Sequence, residues 1–266
     1  MNEAELDPTS FDSRLVNMAA PPLVVGLALA VNMSPLSFLM EGFHVWMHEL
    51  GHATVAWLTG RRALPLPFGW TSVADERSMF VYLGVLFLLG LLLVAGWRER
   101  MAWPVILAAA LAALQLEMTW FMPEHTQRML EIFAGVGGEF LLSALMMAAF
   151  FVQFPEKFRW GACRYVVLFI AASCLINAST YWNRVHHGTE DIPWGSMING
   201  EDDGGGDMNI LRDEFGWTNH QIIGAYYRLG EGCLAGLLVI YGAFALRLDN
   251  VPDRALRLLR RGAPAP

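Results

Sequence analysis

The chain is poor in charged residues. Asp, Glu, Lys and Arg together make up 16% of its 266 residues, whereas hydrophobic residues make up 55%. An ordinary soluble domain carries about 25% charged residues. The scarcity of charge therefore excludes a typical soluble domain and indicates a chain built for a lipid bilayer.

Other features are also absent or scarce. The sequence has no internal repeat, no phosphate-binding glycine loop and no basic patch of the type that binds nucleic acid, so we expect no nucleic-acid partner. Only three cysteines are present, all in apolar segments, where cysteine is typical of a small core residue. The acidic leader lacks the basic start of a secretory signal, so we expect the first apolar run to stay in the mature protein.

Long uncharged runs are the dominant positive feature. Several of them approach or exceed the roughly 18 to 20 residues that cross a hydrocarbon core as a helix. They predict an all-α polytopic bundle of about seven transmembrane helices, within a range of six to eight. The predicted helices cover residues 15–33, 36–59, 79–97, 101–121, 131–154, 164–183 and 220–247.

Polar segments flank and connect these helices. Residues 1–14 form a polar leader, 15–247 the single transmembrane domain and 248–266 a basic tail. The segment 60–70 contains two prolines, two glycines and a basic pair, which predict an extended or hairpin-like excursion. The acidic segment 184–219 is predicted to be an extramembrane loop, and a loop of this length is more often functional or disordered than a passive connector.

The distribution of basic residues predicts the orientation of the chain. Clusters near the helix ends fall on one side of the predicted bundle, around residues 98–100, 157–164 and 247–261. Basic residues close to the ends of transmembrane helices favour the cytoplasmic side. We therefore expect a multi-pass protein of a bacterial inner membrane, with its C-terminus in the cytoplasm.

The most informative motif is H-E-x-x-H, formed by His48, Glu49 and His52 near the middle of the predicted helix 36–59. Histidines four residues apart stand on one helix face and can share a metal ion, while the adjacent glutamate reaches the metal's water. Ionisable groups at mid-bilayer depth are costly and are usually kept for a function. The motif predicts a Zn²⁺ site in which Glu49 is the general base on a zinc-bound water.

A catalytic zinc site takes a third protein ligand. The sequence offers five candidates in other segments: Asp207, Glu139, His125, His186 and His187. Glu139 is a strong candidate because a glutamate on a second helix completes the zinc site in a large class of H-E-x-x-H peptidases. His44 lies one turn before His48 and is a candidate for orienting a ligand or the substrate.

Three segments together carry a family resemblance. The zinc motif, the later Ala134-Gly135-Val136-Gly137-Gly138 and the distal Gly205-Gly206-Asp207-Met208-Asn209 make residues 40 to 215 similar to the site-two protease family of intramembrane zinc metallopeptidases. The resemblance implies a small core of helices around the metal and Asp207 as the third ligand. It also implies that Asn177 orients the substrate.

These observations favour one function and leave two others open. The leading hypothesis is an integral-membrane zinc metalloendopeptidase that cleaves a membrane protein or peptide in or near the bilayer. Met208 follows Asp207, whereas the family has a Leu-Asp-Gly signature, so the second hypothesis is a catalytically inactive, protease-like scaffold or subunit of a membrane complex. The third is a membrane iron oxidoreductase, suggested by the spacing of His44, His48 and His52 together with the His186-His187 pair.

Overall fold

The chain folds as a bundle of long helices with one small sheet. A computed structural model describes residues 13–158, 161–195 and 204–246; the remaining residues, which include most of the predicted leader and tail, lie outside this range. The described part is mostly helical, and its sheet has only two strands. The prediction of an all-α polytopic membrane bundle is confirmed.

Each of the seven predicted segments forms a helix. The helices are α1 Arg14–Asn32, α2 Phe38–Leu58, α3 Met79–Arg98, α4 Ala102–Trp120, α5 Glu124–Ala149, α6 Cys163–His186, the short α7 Asp207–Asp213 and α8 Asn219–Ala245. Within the described residues, six of them are long and apolar enough to cross a membrane, all except α2 and α7. The chain is therefore a multi-pass integral membrane protein.

Helix α2 differs from the six spans because it carries five ionisable side chains, at positions 41, 44, 48, 49 and 52. These residues lower its hydropathy, although its length of 21 residues would suffice to cross a bilayer. The helix packs against α5, α6 and the hairpin that follows it. Its polar residues therefore face protein neighbours to a large extent, and Glu49 and His52 are buried.

The predicted excursion after α2 is a β-hairpin. Gly60 ends the helix with a φ of 76°, a left-handed conformation that glycine adopts without steric cost. Strands β1 Arg61–Leu66 and β2 Trp70–Arg77 pair antiparallel, and Gly69 lies in the turn between them with a φ of 82°. The hairpin extends seven residues beyond the predicted segment 60–70 because its second strand continues to Arg77.

Two other boundaries differ from the prediction. Helix α5 begins at Glu124, seven residues before the predicted 131, since its first two turns are polar and lie outside the apolar run. Glu139 is consequently in the middle of α5 and not at its start. The predicted loop 184–219 contains the helix α7, and Met208 and Leu211 of this helix are buried in the core.

Helices α2 and α5 cross at very short distance. A Cβ atom added at Gly51 would overlap the backbone oxygen of Ala134, and one added at Gly138 would overlap the backbone of Gly51. Glycine at both positions lets the two backbones touch, as small residues do at helix crossings in membranes. The crossing places the H-E-x-x-H motif next to the middle of α5.

Substituting Gly51 by alanine should therefore destabilise the protein. The added methyl group overlaps α5 backbone, which cannot move aside as a side chain can, and we expect a loss of about 1 to 3 kcal/mol from overpacking. Gly42→Ala is the matched control, because a Cβ at Gly42 of the same helix meets nothing within 4 Å. Thermal unfolding in detergent should show a lower midpoint for Gly51→Ala alone; equal midpoints would contradict the close crossing.

Candidate metal centre

Three potential metal ligands converge where α2, α5 and α7 meet. Nε2 of His48 and Nε2 of His52 are 3.1 Å apart. Oδ2 of Asp207 lies 3.1 Å from the first nitrogen and 3.2 Å from the second. Ligands of a tetrahedral ion with bonds of about 2.0 to 2.1 Å are about 3.3 Å apart, so the three atoms have the spacing of one coordination sphere.

Hydrogen bonds on the far side of each ring define the tautomers. Nδ1 of His48 lies 3.0 Å from Oε1 of Glu139, and Nδ1 of His52 lies 2.7 Å from the backbone oxygen of Glu131. Both oxygens are acceptors, so each Nδ1 donates a proton. A neutral imidazole that donates from Nδ1 has only a lone pair on Nε2. Both Nε2 atoms are thus ready to bind a metal ion, and such outer partners are typical of metal-binding histidines.

Asp207 adds a third acceptor with no donor near it. Its Oδ2 is buried and has no hydrogen-bond partner among the described residues. A carboxylate and two lone pairs at this spacing would repel one another without a cation. The group fits a divalent metal ion.

Gly135 of α5 leaves room for that ion. A Cβ atom added at this position would lie 2.5 Å from Oδ2 of Asp207 and 2.6 Å from Nε2 of both histidines. The position equidistant from the three ligand atoms is therefore open only because residue 135 has no side chain. The sequence pattern drew attention to the glycine cluster of α5 but did not reveal this role.

His48, His52 and Asp207, here called the metal group, line a cavity of about 500 Å³. Three parts of the chain line it besides the ligands: Trp70, Thr71 and Val73 of β2; Pro193, Gly195, Gly205 and Gly206 of the loop; and Glu49 and Val136 of the helices. The hairpin and the loop before α7 thus form the walls of the cavity. The three ligand residues are therefore accessible from this cavity.

Glu49 is held in this cavity by the hairpin. The hydroxyl of Thr71 donates a hydrogen bond to Oε2 of Glu49 at 2.5 Å and lies 3.0 Å from the backbone oxygen of the same residue. Glu49 is 4% exposed, which leaves little freedom for its carboxylate. No signal in the sequence pointed to Thr71, because the contact depends on how the hairpin folds back over α2.

Two ion pairs connect α5 to the segments around the metal group, one to the hairpin and one to the end of α7. Arg61 at the start of β1 pairs with the carboxylate of Glu131, whose backbone oxygen also accepts the proton of His52. Arg128 of α5 forms a two-pronged pair with Glu214, which directly follows α7, with N···O distances of 3.0 and 3.3 Å. The hairpin and the Asp207 segment are therefore both fastened to α5.

The loop carries Asp207 inward through a tight backbone contact. A Cβ atom at Gly206 would overlap the backbone of Gly195, and the backbone N–H of Gly195 donates to Oδ1 of Asn209 at 2.7 Å. The glycine next to Asp207 thus lets two loop segments touch. This arrangement explains how a carboxylate from the segment between α6 and α8 reaches histidines on α2.

The other predicted site residues lie elsewhere. Glu139 binds the outer nitrogen of His48 and does not join the ligand group. Nε2 of His44 is 3.3 Å from Oγ of Ser173 on α6, and Asn177 is exposed on α6 and does not line the cavity. The remaining third-ligand candidates have other neighbours: His125 packs on Phe215, His186 stacks on Tyr227, and His187 bonds the backbone of Asn183.

Comparisons with known proteins add no relative. The sequence matches no family model, and neither curated proteins nor solved structures give a match. The function must therefore be inferred from the site itself.

Alanine at position 135 should abolish metal binding. Its methyl group would stand within about 2.6 Å of all three ligand atoms, in the space that the ion needs. Gly137→Ala is the control on the same helix, because the nearest neighbours of its Cβ would be side-chain atoms of Phe133 and Leu229. Elemental analysis of the purified variants should give metal for the control and none for Gly135→Ala; equal metal content would contradict the assignment.

Substitutions of Asp207 and Glu139 should weaken metal binding to different extents. Asp207→Ala removes a ligand, so we expect little or no bound metal after dialysis. Glu139→Gln keeps a hydrogen-bond acceptor for Nδ1 of His48, and we expect the metal to stay bound with an affinity about 10- to 100-fold lower, as for other outer partners. Competition with a chromogenic chelator measures both, and the reverse order of effects would make Glu139 the ligand.

Proposed function

We propose that the chain is an integral-membrane zinc metallopeptidase. The observation that carries the proposal is the convergence of two imidazole nitrogens and one carboxylate oxygen on one point, beside a cavity that also contains Glu49. Two histidines, one carboxylate and an open fourth position are typical of catalytic zinc. The resemblance of the sequence to the site-two protease family supports the same chemistry.

The residues have separate roles in this proposal. His48, His52 and Asp207 hold the metal, and zinc when bound supplies Lewis acidity toward the scissile carbonyl and toward water. Glu49 accepts a proton from the attacking water and returns it to the leaving nitrogen. Thr71 positions Glu49 by its hydrogen bond to Oε2. Glu139 and the backbone of Glu131 keep the two imidazoles in the tautomer that binds metal.

The geometry favours hydrolysis over the two other hypotheses. The predicted iron oxidoreductase drew on a cluster of histidines, but His44 and His186 bind other partners than the metal group. A purely structural metal site is usually closed by four protein ligands. Here the described residues supply three ligands, and an accessible cavity adjoins them. Two histidines and a carboxylate also suit Fe²⁺, so elemental analysis is the first measurement to make.

Replacing Glu49 by glutamine should abolish peptide cleavage without loss of metal. Glutamine keeps the size of the side chain and cannot accept the proton, so we expect the rate to fall by about 10²- to 10⁴-fold. The assay uses the zinc-loaded protein in liposomes with a library of apolar, 20-residue peptides that carry a fluorophore and a quencher, followed by mass spectrometry of the products. Glu41→Gln on the same helix is the control, since Glu41 is outside the cavity.

The outcomes separate the hypotheses. Cleavage by wild type and by the control but not by Glu49→Gln supports the proposal. A zinc-loaded wild type that cleaves no peptide of the library supports the scaffold, and iron in place of zinc supports the oxidoreductase. Cleavage that survives in Glu49→Gln contradicts the assigned general base.

A further inference from the structure

Helix α8 uses only one face to pack against the bundle. Its buried residues Ile222, Tyr226 and Gly230 follow one another at four-residue spacing and face α5 and α6. The opposite face is exposed over three helical turns, from Arg228 to Ile240. In a protein that crosses a bilayer, this face meets lipid or another membrane helix.

Two charged residues stand at the first turn of that face. Arg228 and Glu231 are both exposed, and they are residues 10 and 13 of the 27-residue helix. They form no ion pair with each other or with another described residue: Nε of Arg228 donates to the backbone oxygen of Gly224, and Glu231 accepts a hydrogen bond from the hydroxyl of Tyr227 at 2.9 Å. Ionisable residues within transmembrane segments usually face protein or water and pair with a partner. Two such charges without an ion-pair partner are therefore unusual on a face that meets only lipid.

The same face has room for a second helix at short distance. Gly232 and Gly236 form a G-x-x-x-G pattern directly after Glu231, and a Cβ atom at either position would meet nothing within 4 Å. Ala235 between them is also exposed. Small residues four apart let two membrane helices approach closely enough for their backbones to touch.

We propose that this face of α8 binds α8 of a second copy of the chain. Both copies enter the membrane in the same orientation, so the two helices run parallel around a two-fold axis along the membrane normal. In such an interface residue i contacts j and residue j contacts i. Arg228 of each copy then pairs with Glu231 of the other copy. The two reciprocal ion pairs neutralise all four charges. The face is self-complementary because it carries one charge of each sign at adjacent turns.

This inference does not depend on the proposed peptidase activity. None of the α8 residues that carry it is a metal ligand or lines the metal cavity. A chain without bound metal is expected to dimerise in the same way, so oligomeric state and activity can be tested separately.

Charge reversal provides the test. Analytical ultracentrifugation of the full chain in mild detergent with added lipid should give about twice the chain mass of 29.6 kDa for the wild type. Arg228→Glu and Glu231→Arg should each be monomeric at the same protein concentration, because each places like charges opposite one another. The double variant restores both reciprocal pairs, and we expect it to be dimeric again.

A second pair of variants tests the close approach. Gly236→Leu adds a bulky side chain to the proposed interface and should abolish the dimer. Gly90→Leu on α3 is the matched control, because a Cβ there also meets nothing within 4 Å, and it should remain dimeric. Helical content and thermal unfolding of all variants identify any that misfold, and the proposal is judged on the folded ones.

Four results would overturn the proposal. The first is a monomeric wild type, and the second is a dimer that both single charge reversals leave intact. The third is a double variant that stays monomeric although it is folded, which would show that Arg228 and Glu231 do not pair between copies. A complex with a different membrane protein in place of the homodimer would also contradict it.

Discussion

The close crossing of α2 and α5 is the constraint on which the candidate site depends. Gly51 and Gly138 allow the two backbones to touch, and this contact brings both histidines of α2 under the open position at Gly135. A wider crossing would move the imidazoles away from the acceptors on α5 that orient them. The helix that carries the motif and the helix that positions it therefore work as one unit.

Hydrogen-bond satisfaction explains the arrangement around this unit. In an apolar bundle, a buried donor or acceptor without a partner costs free energy, so each imidazole proton must find an oxygen. Glu139 and the backbone of Glu131 supply those oxygens, and Arg61 binds the Glu131 side chain. The hairpin is thereby linked to the metal group through α5. The buried Oδ2 of Asp207, which has no hydrogen-bond donor among the described residues, meets the two Nε2 atoms at one point, which is where a cation fits.

Hydrophobic pattern predicted the helices well and the polar segments less well. Runs of 15 to 20 apolar residues have few alternatives to a membrane helix, so all seven predicted segments are helical. The first turns of α5 were missed because Glu124, Gln127 and Arg128 carry no apolar signal, yet tertiary contacts hold them in the helix. The short α7 was missed for the same reason: its buried residues become apparent only when the core around them is known.

The sequence by itself determined the fold class. It also determined that His48 and His52 lie on one helix face with Glu49 next to them, because helical periodicity places residues i and i+4 on the same face whatever surrounds them. It left Asp207 and Glu139 as competing third ligands. Only the tertiary structure decided which carboxylate lies near Nε2 and which lies near Nδ1 of His48. It also revealed Thr71 and Gly135, since their roles depend on contacts between segments distant in the chain, and no local pattern records such contacts.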